Sequence, residues 1–284
     1  MTDGLAVIIP TIGRSTFLGP LLADLDQQAS ADVAIVVVDQ SDGLEAARVR
    51  TLVAQYARVR LERRAPGLPA ARNHGAACTE APILLYFDDD VRLLPGCLDA
   101  HRAVYADPTV GGAVGRIIER FVRPNTVDTC NRVSRSGRVR TNLMGTTPCD
   151  VQTLKGANMS IRRRALAEAG AFDEGYLGTA FLEDADLTTR IRRNGWSLRF
   201  VPEAEVVHLS APQGGVRVES DRMTERWRFE NTGYFLRRHR GRVGLVAAVP
   251  TFAAIAARRA VAWRQPDVVP ELMEALIRGW RRAG

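Results

Sequence analysis

The chain has 284 residues, 46% hydrophobic and 25% charged, which excludes a disordered or fibrous protein and leaves room for one large domain or two small ones sharing a core. Its net charge of +7 is uneven: residues 217–284 hold 14 Arg against 7 acidic residues, while residues 1–216 are formally neutral. No stacking-aromatic or zinc-finger pattern accompanies the basic part, so no nucleic acid is expected; an anionic membrane surface or a phosphorylated substrate fits that charge. Met1 to Gly4 leads into only a short apolar run, which reads as neither a signal peptide nor an anchor.

Leu5 to Pro10 is a β-branched apolar run of buried-strand length, followed by a loop from Thr11 to Ser15. Thr16 to Gln28 carries Phe17, Leu21, Leu22 and Leu25 at helical spacing. Val33 to Val38 is a second buried strand ending at Asp39; Leu44 to Tyr56 reads as a helix and Val59 to Leu61 as a short strand. Pro69 to Thr79 reads as a helix with proline in its first turn, and Ile83 to Phe87 as a fourth buried strand that runs into three aspartates. Residues 121–150 match no regular pattern and are read as a long functional loop. Arg162 to Ala169 and Glu183 to Arg193 read as helices stopped at Gly170 and Gly195, Leu198 to Val201 and Glu205 to Leu209 as strands, and Arg222 to Arg238 as a polar helix. Val243 to Ala257 has no charge but is interrupted by Pro250 and is short of the ~20 apolar residues a bilayer span needs. It is read as a helix either packed on the core or lying in a membrane interface.

Alternating strands and helices imply an α/β fold with a mainly parallel sheet covered on both faces, and such sheets bind ligands beyond the carboxyl ends of their strands. Thr11, Asp39 to Asp42 and Asp88 to Asp90 all fall at such ends. Three consecutive aspartates repel one another unless a cation sits among them, and hard oxygen ligands suit Mn2+ or Mg2+. Such an ion would neutralise charge on a leaving diphosphate. Glu183, Asp184 and Asp186 open a helix, where the dipole keeps a carboxylate ionised and so available as a base. His208 ends an apolar strand, where its imidazole serves packing or completes a metal shell with an aspartate. Cys78, Cys97, Cys130 and Cys149 form no CxxC pair and are read as free thiols in a reducing cytosol.

Six segments in order resemble the family 2 glycosyltransferases: VIIPTIGR (Val7 to Arg14), VVVDQSDG (Val36 to Gly43), Gly67 to Val91 with FDDDV at its end, Lys155 to Glu174, FLEDADLTTRIRRNGW (Phe181 to Trp196) and VVHLS (Val206 to Ser210). The resemblance implies the GT-A fold, a Rossmann-like nucleotide-diphospho-sugar transferase fold, over residues 1–215. Residues 1–120 would be the nucleotide-sugar half, 121–215 the acceptor half, and 216–284 a C-terminal helical extension. It implies that Pro10 and Thr11 line the nucleotide pocket, Asp39 faces the base with Asp42 in the same loop, and Arg72 and Asn73 support the diphosphate. It further implies that Asp88, Asp89 and Asp90 form the DxD motif, with Asp88 and Asp90 at the metal and His208 as a further ligand. Gly156, Ala157 and Asn158 would wall the donor sugar, with Asp184 as general base and Glu183 supporting the acceptor. The loop reads Asp-Gln-Ser-Asp where many members have Asp-Asp-Gly-Ser, which leaves the base contact near Asp42 open.

The expected reaction is metal-dependent, inverting transfer of a sugar from a nucleotide-diphospho-sugar, UDP by family habit, to a hydroxyl of a glycan, a lipid-linked acceptor or a small molecule. The expected location is the cytoplasm, with peripheral contact to the membrane through residues 237–264. A phosphatase of the haloacid-dehalogenase type would need Thr or Val where Arg92 stands and its motif on the first strand. An inactive sugar-nucleotide-binding scaffold, or a protein acting through its basic tail on membrane or nucleic acid, remains as the alternative. An intact acidic set argues against the scaffold.

Overall fold

The computed structural model describes residues 4–119, 131–211, 214–215 and 220–284. Its centre is a mixed sheet built on β1 (Leu5–Thr11), β2 (Ala34–Asp39), β3 (Val59–Arg63), β4 (Ile83–Phe87), β5 (Val91–Leu93), β6 (Val110–Glu119), β10 (Asn158–Arg162) and β11 (Ser197–His208). The order is β3-β2-β1-β4-β10-β6-β11-β5; β3, β2, β1 and β4 pair in parallel and β10 enters antiparallel between β4 and β6. Register aligns the strand ends: Thr11 lies beside Asp39, and Ile8 beside Tyr86.

Side chains alternate across a strand, so one apolar run feeds two cores. Leu5, Val7 and Ile9 of β1 join the core under α1 (Ser15–Gln28), with Leu18, Leu21, Leu22 and Leu25. Ala6 and Ile8 join the opposite core with Leu166 of α5 (Arg163–Ala169) and with Leu187 and Ile191 of α6 (Glu183–Arg193). The helices α2 (Gly43–Val53), α3 (Leu68–Ala77) and α4 (Cys97–Ala103) complete the layers.

Among the elements absent from the sequence expectation are β5, α4, β6 and β10. β6 contains three glycines, a composition depleted in strands, yet they are required there. A Cβ on Gly115 would overlap the Ala204 carbonyl and the Asn158 amide. The two strands expected at 198–201 and 205–209 are one strand, β11, whose register slips between Val201 and Glu205. Pro202 lies in that slip, where a missing N–H costs no ladder bond.

Of the long segment at 121–150, residues 121–130 lie outside the described residues. Its remainder is ordered: β7 (Arg132–Val133) and β8 (Val139–Arg140) form a hairpin, and β9 (Cys149–Asp150) pairs with β11. Cys78 and Cys97 are free thiols as expected. Cys149 is not; it is disulfide-bonded, a pairing set by tertiary approach that no local spacing announces. Cys130 lies outside the described residues.

The extension comprises α7 (Asp221–His239), α8 (Gly241–Trp263) and α9 (Val268–Arg282). Phe229, Leu236, Phe252, Leu272 and Leu276 form its own core. Tyr234 and Phe235 join Tyr176, Ala180, Leu182 and Ala185 in another, so the extension and the sheet domain share buried surface. α8 corrects the reading of a short apolar stretch: it runs through Pro250 for 23 residues, long and apolar enough by length and composition to cross a bilayer.

Candidate active site

The carboxyl ends of β1 and β4, the 154–156 loop, the first turn of α6 and the start of α7 surround one cleft of about 490 Å³, within the usual range for small-ligand sites. Pro10, Arg14, Asp88, Asp89, Lys155, Gly156, Glu183 and Asp184 line it, as do Thr224, Glu225 and Arg228 of α7.

The aspartates after β4 have three different settings. Asp89 is buried; Thr11 Oγ1 donates to its Oδ2 at 2.7 Å and Arg14 Nη1 to its Oδ1 at 3.1 Å. Burial pushes its carboxyl up to about 7, while Arg14 and Thr11 hold it from rising further. Arg14 also reaches Asp90 at 3.3 Å and donates to the Gly214 carbonyl at 2.9 Å, closing the loop after β11 over the loop after β1. Asp90 Oδ2 accepts from Ala211 N at 2.8 Å. Its Oδ1 is a buried acceptor without a hydrogen bond among the described residues, although His208 Nε2 stands 3.3 Å away. Asp88 is half-buried and faces the cleft.

One carboxylate oxygen each from Asp88 and Asp90 and a ring nitrogen of His208 lie within 4.8 Å of one another. Two carboxylates and an imidazole, with one carboxylate oxygen otherwise orphaned in a buried position, fit a divalent cation of the Mn2+ or Mg2+ type. A second group, Glu62, His74 and Cys78, is closed internally: Arg60 Nε donates to Glu62 Oε1 at 2.6 Å, and His74 Nε2 lies 3.1 Å from Oε2.

Arg72 joins the two acidic regions. It is almost wholly buried, with Nη1 on Glu183 and Nη2 3.2 Å from Asp88 Oδ1. Gly156 packs against this guanidinium, and a Cβ there would overlap it. Burial pushes Glu183 up to about 7, against the pull of Arg72. Asp184, the next residue, points into the cleft: its Oδ2 accepts from Gly156 N at 3.4 Å and lies 3.8 Å from Lys155 Nζ. Asp184 in turn raises the Lys155 ammonium above its ordinary range.

Other expected site residues make the following contacts. Asp39 is buried; its Oδ1 accepts from Ser41 N at 2.9 Å, and its Oδ2, 3.9 Å from Arg63 Nε, has no hydrogen bond among the described residues. Asp42 is exposed at the start of α2, outside the cleft lining. Asn73 brackets Phe172, donating to its carbonyl and accepting from its amide, both at 2.9 Å. Asn158 is buried in the sheet, donating to Ala204 O at 2.8 Å and facing His101 at 2.8 Å; Ala157 belongs to the core. Arg72 lines the cleft with its guanidinium between two carboxylates, Asp88 and Glu183. Sequence reasoning gave no role to Arg14, Lys155 or the α7 residues. Lys155 carried a signal, being the single Lys among 39 basic residues.

A parallel sheet with a reversed strand after β4, and acidic groups gathered beyond its strand ends, defines a GT-A nucleotide-sugar transferase fold. Two solved structures share it. They are GalNAc-T7 with UDP, GalNAc and Mn2+ (TM-score 0.65, 18% identity, 82% of this chain and 47% of that one) and the mannosyltransferase PcManGT from Pyrobaculum calidifontis with GDP-Man and Mn2+ (0.57, 17%, 98% and 86%). Residues 6–170 match the Glycosyl transferase family 2 model, and the chain belongs to that family. It is a glycosyltransferase. Over 255 residues it is 27% identical to the N-acetylglucosaminyl-diphospho-decaprenol L-rhamnosyltransferase of Mycobacterium tuberculosis, in strains CDC 1551 and H37Rv, covering 76% of this chain and 79% of that protein.

Proposed function

We propose that this protein transfers a sugar from a nucleoside-diphospho-sugar to an acceptor hydroxyl in a metal-dependent, inverting reaction, and that its acceptor is a lipid-linked glycan intermediate. The observation that carries the reading is the Asp88–Arg72–Glu183 bridge. It links Asp88, the cleft-lining member of the Asp88, Asp90 and His208 cluster, to the helix turn that bears Asp184. Asp88, Asp90 and His208 would hold the cation, which supplies charge neutralisation at the departing diphosphate. Asp184 takes the proton from the attacking hydroxyl, held in place by Gly156 N and Lys155. Attack opposite the leaving group in a single displacement inverts the anomeric centre. Glu183 is buried on Arg72 and keeps the first turn of α6 in position.

UDP and GDP in the two similar structures support a nucleoside diphosphate without choosing its base. The mycobacterial relative supports a diphospho-lipid acceptor. The test is a panel of nucleotide-sugars, with Mn2+ or Mg2+, scored by thermal shift and by transfer to polyprenyl-diphospho-sugar. Asp184→Asn should keep donor binding and lose about 10²- to 10⁴-fold in kcat. Chelation with EDTA should abolish turnover, and Mn2+ should restore it. Near-normal turnover by Asp184→Asn, or full activity in EDTA, removes the corresponding role.

A further inference from the structure

Among the described residues, the outward face of α8 has no partner. Gly244, Ala248, Phe252 and Ala256 turn inward, with the Phe229 and Phe252 rings edge-on at 5.0 Å. Val243, Val246, Pro250, Ala254, Ala257 and Val261 follow at steps of three and four and are all exposed, Val243, Val246 and Val261 by 72–79%. Such steps place them on one stripe of the helix. Only 22% of the most apolar stretch of α8 is buried, the reverse of a helix inside a soluble core.

We propose that this stripe seats the protein on an anionic lipid bilayer, with α8 lying in the plane of the interface. Charge selects the occupant. α8 has no acidic residue, and Arg242, Arg258 and Arg264 are exposed at its flanks. None of the three ion-pairs among the described residues. Two copies of the stripe facing each other would bring like charges together; phosphate headgroups would neutralise them while the valines enter the acyl boundary. Packing selects the orientation. The inward face is held by α7 and α9, and Arg259 donates to Glu225 at 2.9 Å, so α8 cannot leave its neighbours to cross the bilayer without breaking that core. Glu225 also lines the cleft, so the lipid-facing helix is one contact from it. The inference stands apart from the transferase reading, because membrane binding is read without turnover.

The experiment is sedimentation of the full chain with vesicles of phosphatidylcholine alone and of phosphatidylcholine mixed with phosphatidylglycerol. Binding should require the anionic lipid and weaken with salt. Val246→Asp with Val261→Asp, and separately Arg242→Glu with Arg258→Glu, should each lower vesicle partition about tenfold or more. The far-UV circular dichroism spectrum and the thermal midpoint should be unchanged, which certifies folded protein. The proposal is overturned if the wild-type chain stays in the supernatant, or if both double variants pellet like it. It is also overturned if Val246→Asp only dissolves a dimer seen by light scattering.

Discussion

Arg72 shows how much one residue decides. Its guanidinium is the counter-charge for two carboxylates that are 111 residues and 16 residues away in the chain. Arg72→Ala would leave Glu183 buried without a counter-charge, and removing one partner of a buried pair costs about 3–5 kcal/mol. Urea unfolding should read that loss. Glu183 itself makes stability depend on pH. Its folded value of about 7 exceeds the ordinary 4.5, so between the two the folded protein keeps a proton the unfolded chain has released. Its contribution therefore falls as pH rises through that window. Glu183→Gln should flatten the change in urea midpoint between about pH 5 and about pH 7; an unaltered pH slope in the variant would assign the dependence elsewhere. The chemistry-bearing side chains were legible because charged residues after apolar runs are conspicuous. The use of Asn73 and Asn158 was not, since an amide serves a backbone bracket as readily as a sugar hydroxyl.

Elements carry these residues into register. The first turn of α6 presents Glu183 and Asp184 to the cleft, and its next acidic residue, Asp186, points the other way. Asp186 is fully buried, with His239 Nε2 at 2.6 Å and Arg190 Nη2 at 2.6 Å. Burial alone would raise its carboxyl, but the His239 contact and Arg190 hold it below the usual range. The joint ties the end of α7 to the helix that bears the proposed base. His239→Leu removes one buried partner and should cost about 1–3 kcal/mol in urea unfolding. It should also lower kcat through a loosened first turn of α6; unchanged stability would deny the joint its role. Runs such as Ile83 to Phe87 announced their strands by composition. β6 and β10 did not, because glycines and single polar residues inside a sheet answer to neighbours far away in sequence.

At the scale of the molecule, the extension is part of the transferase rather than an appendage. Val133, Tyr176 and Leu182 share a core with Tyr234 and Phe235, and Thr224, Glu225 and Arg228 complete the cleft wall. The family model ends at residue 170, before the residues of that wall. Calorimetry of the full chain should give one cooperative transition. A chain cut after residue 215 should be insoluble or lack that transition, and a soluble, cooperatively folded fragment would make the extension a separate domain.

The sequence by itself determined the class of fold, the six ordered segments of the family, and the acidic residues that gather at the strand ends. Hydrophobic period and local charge are short-range properties, and they survive without coordinates. Tertiary structure alone decided that Arg72 bridges Asp88 and Glu183, that Asp42 lies outside the cleft lining, that Cys149 is cross-linked, and that α8 has an apolar face left bare by the described residues. Each of these depends on which distant groups come within a few ångströms, and a linear pattern holds no such distances.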